Sequence, residues 1–410
     1  MKRIHLIALH CLLLTQLGKA AEWIPFSVTP PPSTVDPMTG IVLWQDSEHV
    51  KKAPIQLEFF YLPYSAVILG PDQYDWNLVE KRLTAIANRK HQAVIRFWDT
   101  YPAKESGVPE FIRNRSDWRG KTANSEGKPT GFPDWGNAAW QTAHLAFFKT
   151  FAERYDHDPR LAFLECGFGL WSEYHIYDGP FELGRTFPDR SYQEKFLTWM
   201  SENFKETCWM ISIDAADSQV GPFGKYQSLK TLPFGVFDDS FLCKEHPKVN
   251  ALNWKFFGAN RWKTQPGGGE LSYYTDRDQR LALSKDGPHG ESIESASARF
   301  HVSFMIGNDQ PDYVKMARIG EAGKAMGYGF RLDAAERSGS SVRLTFSNTG
   351  VAPIYYDAYP AFAGVRAKVS LKGLLPGKRL SATISSAAMD GEVSIESDRL
   401  VPGQKIGFTQ

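Results

Sequence analysis

Residues 161–175 read LAFLECGFGLWSEYH, and their pattern guides the interpretation of the whole chain. The first half is a run of apolar residues with the length of a buried β-strand. The second half contains glycines and then presents Trp171, Glu173 and His175. We therefore predict a strand over Leu161–Trp171 that delivers an aromatic ring, a carboxyl group and an imidazole at its carboxyl end.

Seven further apolar runs lie along the chain, separated by stretches with helical periodicity. Together the runs predict eight strands, at Gly40–Trp44, Leu57–Pro63, Ala93–Asp99, Leu161–Trp171, Trp209–Asp214, Phe234–Asp239, Gly268–Tyr273 and His301–Ile306. Eight strands that alternate with helices predict an α/β protein with a (β/α)8 barrel, a TIM barrel. The alternative is a doubly wound parallel sheet, and the absence of a Gly-x-Gly-x-x-Gly turn after the first strand weakens it.

The pattern changes after Gly327. Short runs of alternating polarity, such as Val342–Phe346 and Leu380–Ile384, are separated by Gly, Pro, Ser and Asn. This pattern is typical of an antiparallel β-sandwich. We therefore predict a barrel domain over residues 21–327, followed by a small C-terminal β-sandwich over residues 328–410.

The first twenty residues have the features of a secretory signal peptide. Lys2 and Arg3 precede the mostly apolar run Leu6–Leu14, and Gly18 and Ala20 are small residues suited to cleavage. We predict that residues 1–20 are removed and that the protein is secreted or periplasmic, the alternative being an uncleaved anchor. No later segment is apolar enough to predict a membrane span.

The composition is that of an ordinary globular protein with many aromatic residues. The 410 residues include 47 Lys and Arg and 46 Asp and Glu, a formal charge of +1, which argues against a surface for nucleic acid or anionic lipid. Aromatic residues form 13% of the chain, enough for a large core and for flat binding surfaces. The predicted mature chain keeps three cysteines, too few for a disulfide framework, and the sequence leaves open one bridge between Cys208 and Cys243.

Glu173 is the first candidate catalytic residue. Alternation along an extended segment places it on the same side as Trp171. A carboxyl group beside aromatic rings is partly desolvated, which raises its pKa and keeps a proton available for a leaving group. The alternative is an ordinary surface glutamate at the end of a strand.

Glu270 is the second candidate. It follows the glycines Gly267–Gly269, which let the backbone approach closely and direct the side chain inward. We expect Tyr273 and Tyr274 to hydrogen-bond its carboxylate and hold it ionised. Because the fourth and seventh strands face each other across a barrel mouth, the two carboxyl groups can lie about 5 Å apart. The alternative is a glycine-rich turn with an incidental glutamate.

Arg96 and His175 are candidate binding residues. Arg96 lies within an apolar strand and needs an anionic partner, either Glu270 or a core acid. His175 can bind a sugar or brace its own loop. Glu173 and His175 offer two metal ligands, but no third has a recognisable spacing, so we predict no metal and no cofactor. The Gly-x-Ser-x-Gly elbow of serine hydrolases is also absent.

Other residues near predicted strand ends can contact a carbohydrate. The acids are Asp214, Asp238 and Asp239, which can bind hydroxyl groups or cap the helices that follow. The aromatic candidates for stacking on sugar rings are Trp44, Tyr61, Tyr64, Trp98, Trp135 and Trp171. Any one of these rings can instead belong to the core.

The residues around these candidates resemble those of a known enzyme group. Three motifs, Tyr61–Ser65, Tyr74–Trp76 and Ile95–Phe97, are similar to the second and third strands of the retaining glycosidase barrels that include β-galactosidases and cellulases. A bacterial glycoside-hydrolase-like family of unknown function is more similar. The motifs shared with it are Gly167-x-Gly169-x-Trp171-x-Glu173, Gly269-Glu270, Gly329-Phe-Arg331 and Asn348–Pro353, and the similarity covers most of residues 40–410.

This resemblance implies that Glu173 is the acid/base and Glu270 the nucleophile of a retaining glycosidase. In the wider group, an Asn that binds the sugar 2-hydroxyl precedes the acid/base, and Ser172 occupies that position here. We therefore expect a secreted glycoside hydrolase that cleaves a poly- or oligosaccharide by double displacement and has no nucleic-acid partner. The alternative is a non-catalytic carbohydrate-binding or structural barrel, which Ser172 favours.

Overall fold

The computed structural model of the protein describes residues 22–28, 32 and 34–409, so the predicted signal peptide lies outside the described residues. The strands in these ranges are β1 (Ile24–Pro25), β2 (Gly40–Trp44), β3 (Leu57–Pro63), β4 (Ile68–Gly70), β5 (Gln73–Tyr74), β6 (Gln92–Trp98), β7 (Lys121–Ser125), β8 (Lys128–Phe132), β9 (Leu161–Glu165), β10 (Cys208–Ser212), β11 (Gly235–Phe241), β12 (Gly267–Leu271), β13 (Phe304–Ile306), β14 (Phe330–Ser338), β15 (Ser341–Asn348), β16 (Tyr359–Phe362), β17 (Val365–Arg366), β18 (Arg379–Ser385) and β19 (Val393–Glu396). The α-helices are α1 (Asn77–Asn88), α2 (Glu110–Arg113), α3 (Ala138–Tyr155), α4 (Arg190–Asn203), α5 (Val249–Phe256), α6 (Asp276–Leu281), α7 (Ile293–Phe300), α8 (Gln310–Tyr313) and α9 (Met316–Lys324).

Eight parallel strands form a closed barrel. In ring order they are β2, β3, β6, β9, β10, β11, β12 and β13, and β13 closes the ring by pairing with β2. Antiparallel sheets follow the barrel along the chain, so the fold is a TIM barrel with a C-terminal β-sandwich. The predicted fold is confirmed, and the doubly wound alternative is wrong because the parallel sheet closes on itself.

The fourth barrel strand is shorter than its sequence predicts. It ends at Glu165, and the residues that follow form a compact loop instead of continuing to Trp171. Gly169 has a φ of 80°, and Trp171, Ser172 and Tyr174 have φ values of 52°, 63° and 63°. Left-handed residues interrupt an extended strand. Trp171 and Glu173 lie in this loop, so the prediction that strand alternation places them on the same side is wrong.

Helix α3 packs an aromatic face against the barrel. Trp140, Phe147, Phe151 and Tyr155 are buried along it. His144 joins them and hydrogen-bonds with the hydroxyls of Tyr192 and Tyr64, at 2.8 and 3.0 Å. Burial lowers the pKa of His144 to about 3, so this imidazole is neutral in the folded protein.

Two aromatic residues considered above as sugar-stacking candidates belong to this same core. Tyr64 and Trp135 are fully buried, and their rings pack on His144 at centroid distances of 5.0 and 5.1 Å. Within residues 22–28, 32 and 34–409, we find no helix with the length and apolar character needed to cross a lipid bilayer.

The C-terminal region is built from two antiparallel sheets. One contains β1, β14, β15 and β18, and the other contains β17, β16 and β19, with an apolar core between them. Strand β1 pairs with β14, so the residues just after the predicted signal peptide join this sandwich. The domain division at residues 327 and 328 stays a prediction.

The side chain of Asn348 hydrogen-bonds four backbone groups of the sandwich region. Its Oδ1 accepts hydrogen bonds from the backbone N–H groups of Gly329 and Gly350, and its Nδ2 donates to the carbonyls of Ala352 and Leu374. A Cβ at Gly350 would lie 2.4 Å from the carbonyl oxygen of Gly327. The Asn-Thr-Gly-Val-Ala-Pro motif is therefore explained by backbone packing.

The sandwich closes the amino-terminal end of the barrel. The ring of Tyr356 packs among the residues that fill this end, including Phe163 and Phe304. Its hydroxyl donates to the carbonyl of Ala162 and accepts from the N–H of Cys208 at 3.0 Å. In a TIM barrel this end serves stability, whereas the active site lies at the other end.

The three cysteines in the described residues are unbridged. Cys208 begins β10 at the amino-terminal end of the barrel, and Cys243 follows β11 at the carboxyl end. A disulfide needs Cα atoms within about 7 Å. The bridge that the sequence left open is therefore absent, because the two thiols lie at opposite ends of the barrel.

Replacing Tyr356 tests how the sandwich is attached. Tyr356→Ala removes a large buried ring and should lower the free energy of unfolding by about 3–5 kcal/mol. Tyr356→Phe keeps the ring and should cost about 1 kcal/mol for its hydrogen bonds. Urea denaturation followed by tryptophan fluorescence measures both, and an Ala variant as stable as the Phe variant would contradict the packing described above.

Candidate active site

A cavity of about 730 Å³ opens at the carboxyl ends of the barrel strands. Ten of the candidate residues named from the sequence line it, namely Trp44, Tyr61, Trp171, Glu173, His175, Asp214, Asp239, Glu270, Tyr273 and Tyr274. The carboxyl ends of barrel strands are where TIM-barrel enzymes place their active sites. The two candidate glutamates therefore share one cavity, although they are 97 residues apart in the sequence, at positions 173 and 270.

The loop after β9 holds Glu173 in the cavity wall. A Cβ at Gly167 would lie 2.1 Å from the carbonyl oxygen of Ser172, so the loop can close only around a glycine. The hydroxyl of Ser172 donates to the carbonyl of Phe97 at 2.6 Å, and Ser172 is fully buried. Strained backbone conformations cost about 1–3 kcal/mol each and cluster at functional sites. Here Ser172 anchors the loop that carries Glu173.

Arg96 is the cation behind the wall of the cavity. Its guanidinium is fully buried and donates to Oε2 of Glu165 from Nε at 2.9 Å and from Nη2 at 2.6 Å. Its Nη1 donates to Oε1 of Glu173, to the hydroxyl of Tyr61 at 2.8 Å and to the carbonyl of Trp171 at 3.3 Å. Of the two partners expected from the sequence, the structure places a core acid, Glu165, against Arg96, and it adds Glu173.

Glu270 lies on β12 and faces the cavity. Gly269 permits this position, because a Cβ there would lie 2.0 Å from the carbonyl oxygen of Asp238. Glu270 is 9% exposed. Burial, and next the negative charge of Glu173, raise the pKa of Glu270 to about 8, while Arg96 acts in the opposite direction. Glu270 therefore holds a proton at neutral pH when the cavity is empty.

Tyr273 and Tyr274 line the cavity, but they do not make the hydrogen bonds to Glu270 that the sequence led us to expect. The hydroxyl of Tyr273 interacts with Asp309, and burial followed by the charge of Glu270 raises its pKa. The hydroxyl of Tyr274 interacts with Ser240, and burial raises its pKa to about 12. Within the described residues, neither hydroxyl donates to Glu270. No tyrosine hydrogen bond therefore offsets the burial that raises the pKa of Glu270.

His175 connects three acidic side chains. Its Nδ1 lies 3.0 Å from Oδ2 of Asp214 and 3.6 Å from Oδ2 of Asp239, and its Nε2 lies 3.7 Å from Oε2 of Glu173. Burial, together with the charges of Asp214 and Glu173, raises the pKa of Asp239 well above its ordinary value. One ligand atom from each of Glu173, His175 and Asp239 lies within 4.8 Å of the others, so the fold adds a third potential metal ligand that sequence spacing did not reveal.

The structure does not bring Asp238 to the cavity. Alternation along β11 turns its side chain outward, where it accepts hydrogen bonds from Asn250 at 2.8 Å and Trp254 at 2.9 Å. It is fully buried and fixes helix α5 against the barrel. Asp239, the next residue, faces the cavity in its place.

Trp98 belongs to a neighbouring cavity. This second cavity of about 640 Å³ shares Trp44, Tyr61 and Tyr101 with the first, so the two form adjoining lobes of one cleft. Trp98 is buried in the wall of the second lobe and packs on Tyr101 at a centroid distance of 5.4 Å.

Several residues of the cavity were not identified from the sequence. They are Tyr101, Glu126, Tyr177, Asp217, Asn308 and Asp309. Asn308 and Asp309 come directly after β13, and Tyr101 comes shortly after β6, so their position relative to a strand end was an available signal. Glu126 and Tyr177 lie on long connections, where the sequence gives no such signal.

No family model matches the chain. No curated protein matches it in sequence either.

Solved structures that align with the chain include three glycoside hydrolases by their names. Endo-glycoceramidase II from Rhodococcus sp., as a lactosyl-enzyme intermediate, aligns at 9% identity with a TM-score of 0.42 and covers 87% of this chain and 100% of that chain. An α-galactosidase from Thermus thermophilus aligns at 12% identity with a TM-score of 0.41, over 78% of this chain and 66% of that chain. The galactosidase domain of the α-galactosidase-sucrose kinase AgaSK aligns at 9% identity with a TM-score of 0.38, over 85% and 54%.

The raised pKa of Glu270 predicts a pH-dependent stability. Folding raises this pKa to about 8 from the ordinary value of 4.5, so the contribution of Glu270 to stability is fully present below pH 4.5 and is lost as the pH rises through 8. Glu270→Gln replaces the ionisable carboxyl group with a neutral amide, so the variant does not lose this stability as the pH rises. We expect the variant to melt a few degrees above the wild type at pH 8 and at the same temperature near pH 4.

Calorimetry at both pH values measures the difference. Glu202→Gln, at an exposed position on α4, is the matched control and should follow the wild type at each pH. A Glu270→Gln variant that gains nothing between pH 4 and pH 8 would contradict the burial of an uncompensated carboxyl group.

Proposed function

We propose that the protein is a glycoside hydrolase that cleaves a poly- or oligosaccharide by a retaining, double-displacement mechanism. The observation that carries the proposal is the meeting of Glu173 and Glu270 in one cavity at the carboxyl end of the barrel. Retaining glycosidases use two carboxyl groups that flank the glycosidic bond. Membership of the glycoside-hydrolase-like family named above is part of this proposal.

The two glutamates have separate tasks in this reaction. Glu270 attacks the anomeric carbon and forms a glycosyl–enzyme ester, while Glu173 protonates the departing oxygen. Glu173 then removes a proton from the water that hydrolyses the ester. Oε1 of Glu173 is anchored by Arg96 and Tyr61, so Oε2 is the oxygen that exchanges the proton.

The reaction needs one proton shared by the two glutamates. Burial retains this proton because it raises the pKa of Glu270. In the empty cavity this proton lies on Glu270, because the pKa of Glu270 is raised to about 8. The assignment above therefore requires the proton to move from Glu270 to Oε2 of Glu173 when substrate binds. The reverse assignment, with Glu270 as acid and Glu173 as nucleophile, needs no such transfer, and the contact between Arg96 and Glu173 favours it.

Aromatic rings give the cavity the surface that a sugar needs. The rings of Trp44, Tyr61 and Tyr101 form one wall, with centroid distances of 5.9 and 5.8 Å between successive rings. Trp171 lies 6.1 Å from Tyr101 and continues this wall towards Glu173. Pyranose C–H groups pack on such rings. The cavity volume also lies within the range of about 300–1,000 Å³ typical of ligand sites.

The cellular location is a separate part of the proposal. The basic start and apolar run of residues 1–20 support a secreted or periplasmic protein. A secreted location would bring the cavity into contact with extracellular glycans.

A non-catalytic carbohydrate-binding barrel is the second candidate, and tight glycan binding without any product would favour it.

Single amide substitutions test the catalytic pair. Glu173→Gln and Glu270→Gln should each lower kcat by about 10²–10⁴-fold, because each removes one of the proton-transfer or nucleophilic groups. A panel of polysaccharides with reducing-end detection identifies the substrate, and Glu202→Gln serves as the control. Wild-type turnover by either cavity variant would reject the mechanism.

Azide rescue separates the two assignments of roles. Glu173→Ala supplied with azide should give a glycosyl azide of retained configuration, whereas Glu270→Ala should give the inverted one, as read by proton NMR. The opposite pattern would assign Glu270 as the acid and Glu173 as the nucleophile.

The shared proton also sets the alkaline limit of activity. Above about pH 8, Glu270 loses its proton in the empty cavity, and the pair then has none to give to the leaving group. We expect kcat/KM to fall on the alkaline side with an apparent pKa near 8. A profile that stays flat to pH 10 would contradict a proton held by this pair.

A further inference from the structure

The cavity that contains Glu173 and Glu270 is lined by a large excess of acidic over basic side chains. Its walls hold seven carboxyl groups, and His175 is the only basic side chain among the described residues that line it. The carboxyl groups belong to Glu126, Glu173, Asp214, Asp217, Asp239, Glu270 and Asp309. Arg96 lies behind the wall and is shared with buried Glu165, so it compensates for only part of this charge. A cleft of one sign attracts ligands of the other.

The adjoining lobe has no such excess. It contains the cationic side chains of Arg82, Lys104 and Arg113 together with the acids Asp46 and Glu105. Arg113 is also paired directly with Glu105 at 3.1 Å. The excess of acidic side chains is therefore confined to the lobe that holds the proposed catalytic pair, and it is a property of that lobe rather than of the whole cleft.

Three buried atoms of residues that line the acidic lobe have no hydrogen-bond partner among the described residues. They are Oδ2 of Asp239, Nε2 of His175 and the indole Nε1 of Trp44, which lies on the wall shared with the adjoining lobe. The Asp239 side chain is only 8% exposed. The ring nitrogens of His175 donate or accept according to the tautomer, whereas Oδ2 of an ionised Asp239 can only accept. A ligand that satisfies Asp239 as a carboxylate must donate, and an ammonium group has three N–H donors.

Exposed aromatic rings line the same lobe. The rings of Trp171 and Tyr177 are stacked at a centroid distance of 6.3 Å with an interplanar angle of 23°, and Tyr177 is 63% exposed. Tyr274 is 70% exposed on the same cavity. Aromatic faces bind both the C–H surface of a sugar and a nearby cation. The lobe thus combines sugar-stacking surfaces with acceptors for a positive charge.

We propose that this site takes a glycan with free amino groups, so that the sugar units it binds are hexosamines without an N-acetyl group. Asp239 receives the ammonium group of the unit beside the catalytic pair. The inference rests on the proposed function and adds the substrate class. Seven carboxyl groups line the cavity, which suits amines on successive units better than one small cation.

A matched set of sugars tests the amine directly. Glucosamine and galactosamine are compared with their N-acetyl forms and with glucose and galactose, with the intrinsic fluorescence of the cavity tryptophans as readout. We expect the amino sugars to bind about 10-fold more tightly, equivalent to about 1.4 kcal/mol. The preference should shrink in high salt, because exposed rim charges are screened.

Asp239→Asn tests the assigned acceptor. The variant should bind amino sugars and neutral sugars with similar affinity, while Glu202→Gln keeps the amine preference of the wild type. Equal binding of amino, acetylated and neutral sugars by the wild type would overturn the proposal. So would tight binding of Zn²⁺ or Ca²⁺ alone that depends on Asp239 and is accompanied by no amine preference, because it would assign the cluster to a metal.

The outcomes also separate this inference from the proposed function. Hydrolysis of a neutral or acetylated glycan that depends on Glu173 and Glu270, without amine preference, overturns the inference and leaves the hydrolase in place. Selective binding of amino sugars without cleavage of any glucosamine or galactosamine polymer supports the inference and rejects the hydrolase.

Discussion

The ion cluster around Arg96 is the interaction on which the site depends. A guanidinium inside a barrel is costly unless its donors are paired, and here they reach Glu165, Glu173, Tyr61 and the carbonyl of Trp171. These partners come from two barrel strands, β3 and β9, and from the loop after β9. Arg96 therefore holds the loop after β9 against the barrel, and the position of Glu173 follows. Removing the cation would leave two buried carboxylates without a counter-ion, which typically costs about 3–5 kcal/mol.

Because Arg96 is committed to Glu165 and Glu173, Glu270 is left without a direct cation. Its burial then keeps it protonated, and burial, followed by the charges of Asp214 and Glu173, likewise raises the pKa of Asp239. The fold thus places acids together at a cost in stability that a purely structural cluster would not need. Perturbed acids in a cleft are typical of functional sites. Both the catalytic proposal and the amine proposal follow from this one distribution of charge.

Much of the fold could be predicted from the sequence, because buried parallel strands appear as apolar runs. Glu270 could also be predicted, since the glycines before it have a local effect on the backbone. The end of β9 could not, because it depends on the distant contact of Ser172 with the carbonyl of Phe97. For a related reason, the sequence did not show which acid pairs with Arg96 or that Asp239, rather than Asp238, faces the cavity. Each depends on register within the closed barrel, which no local pattern records.

The two ends of the barrel differ in packing, and this difference explains how the protein can tolerate a strained, acidic cavity at one of them. At the amino-terminal end, Tyr356 fills the interior and Arg399 donates to the carbonyls of Asp156 and Leu161 at 2.9 and 2.7 Å. At the carboxyl end, left-handed residues and unpaired acids accumulate. Stability gained through the sandwich therefore offsets strain at the cavity. The sandwich need not touch the cavity to affect it, since it stabilises the end of the barrel opposite the acidic and strained one.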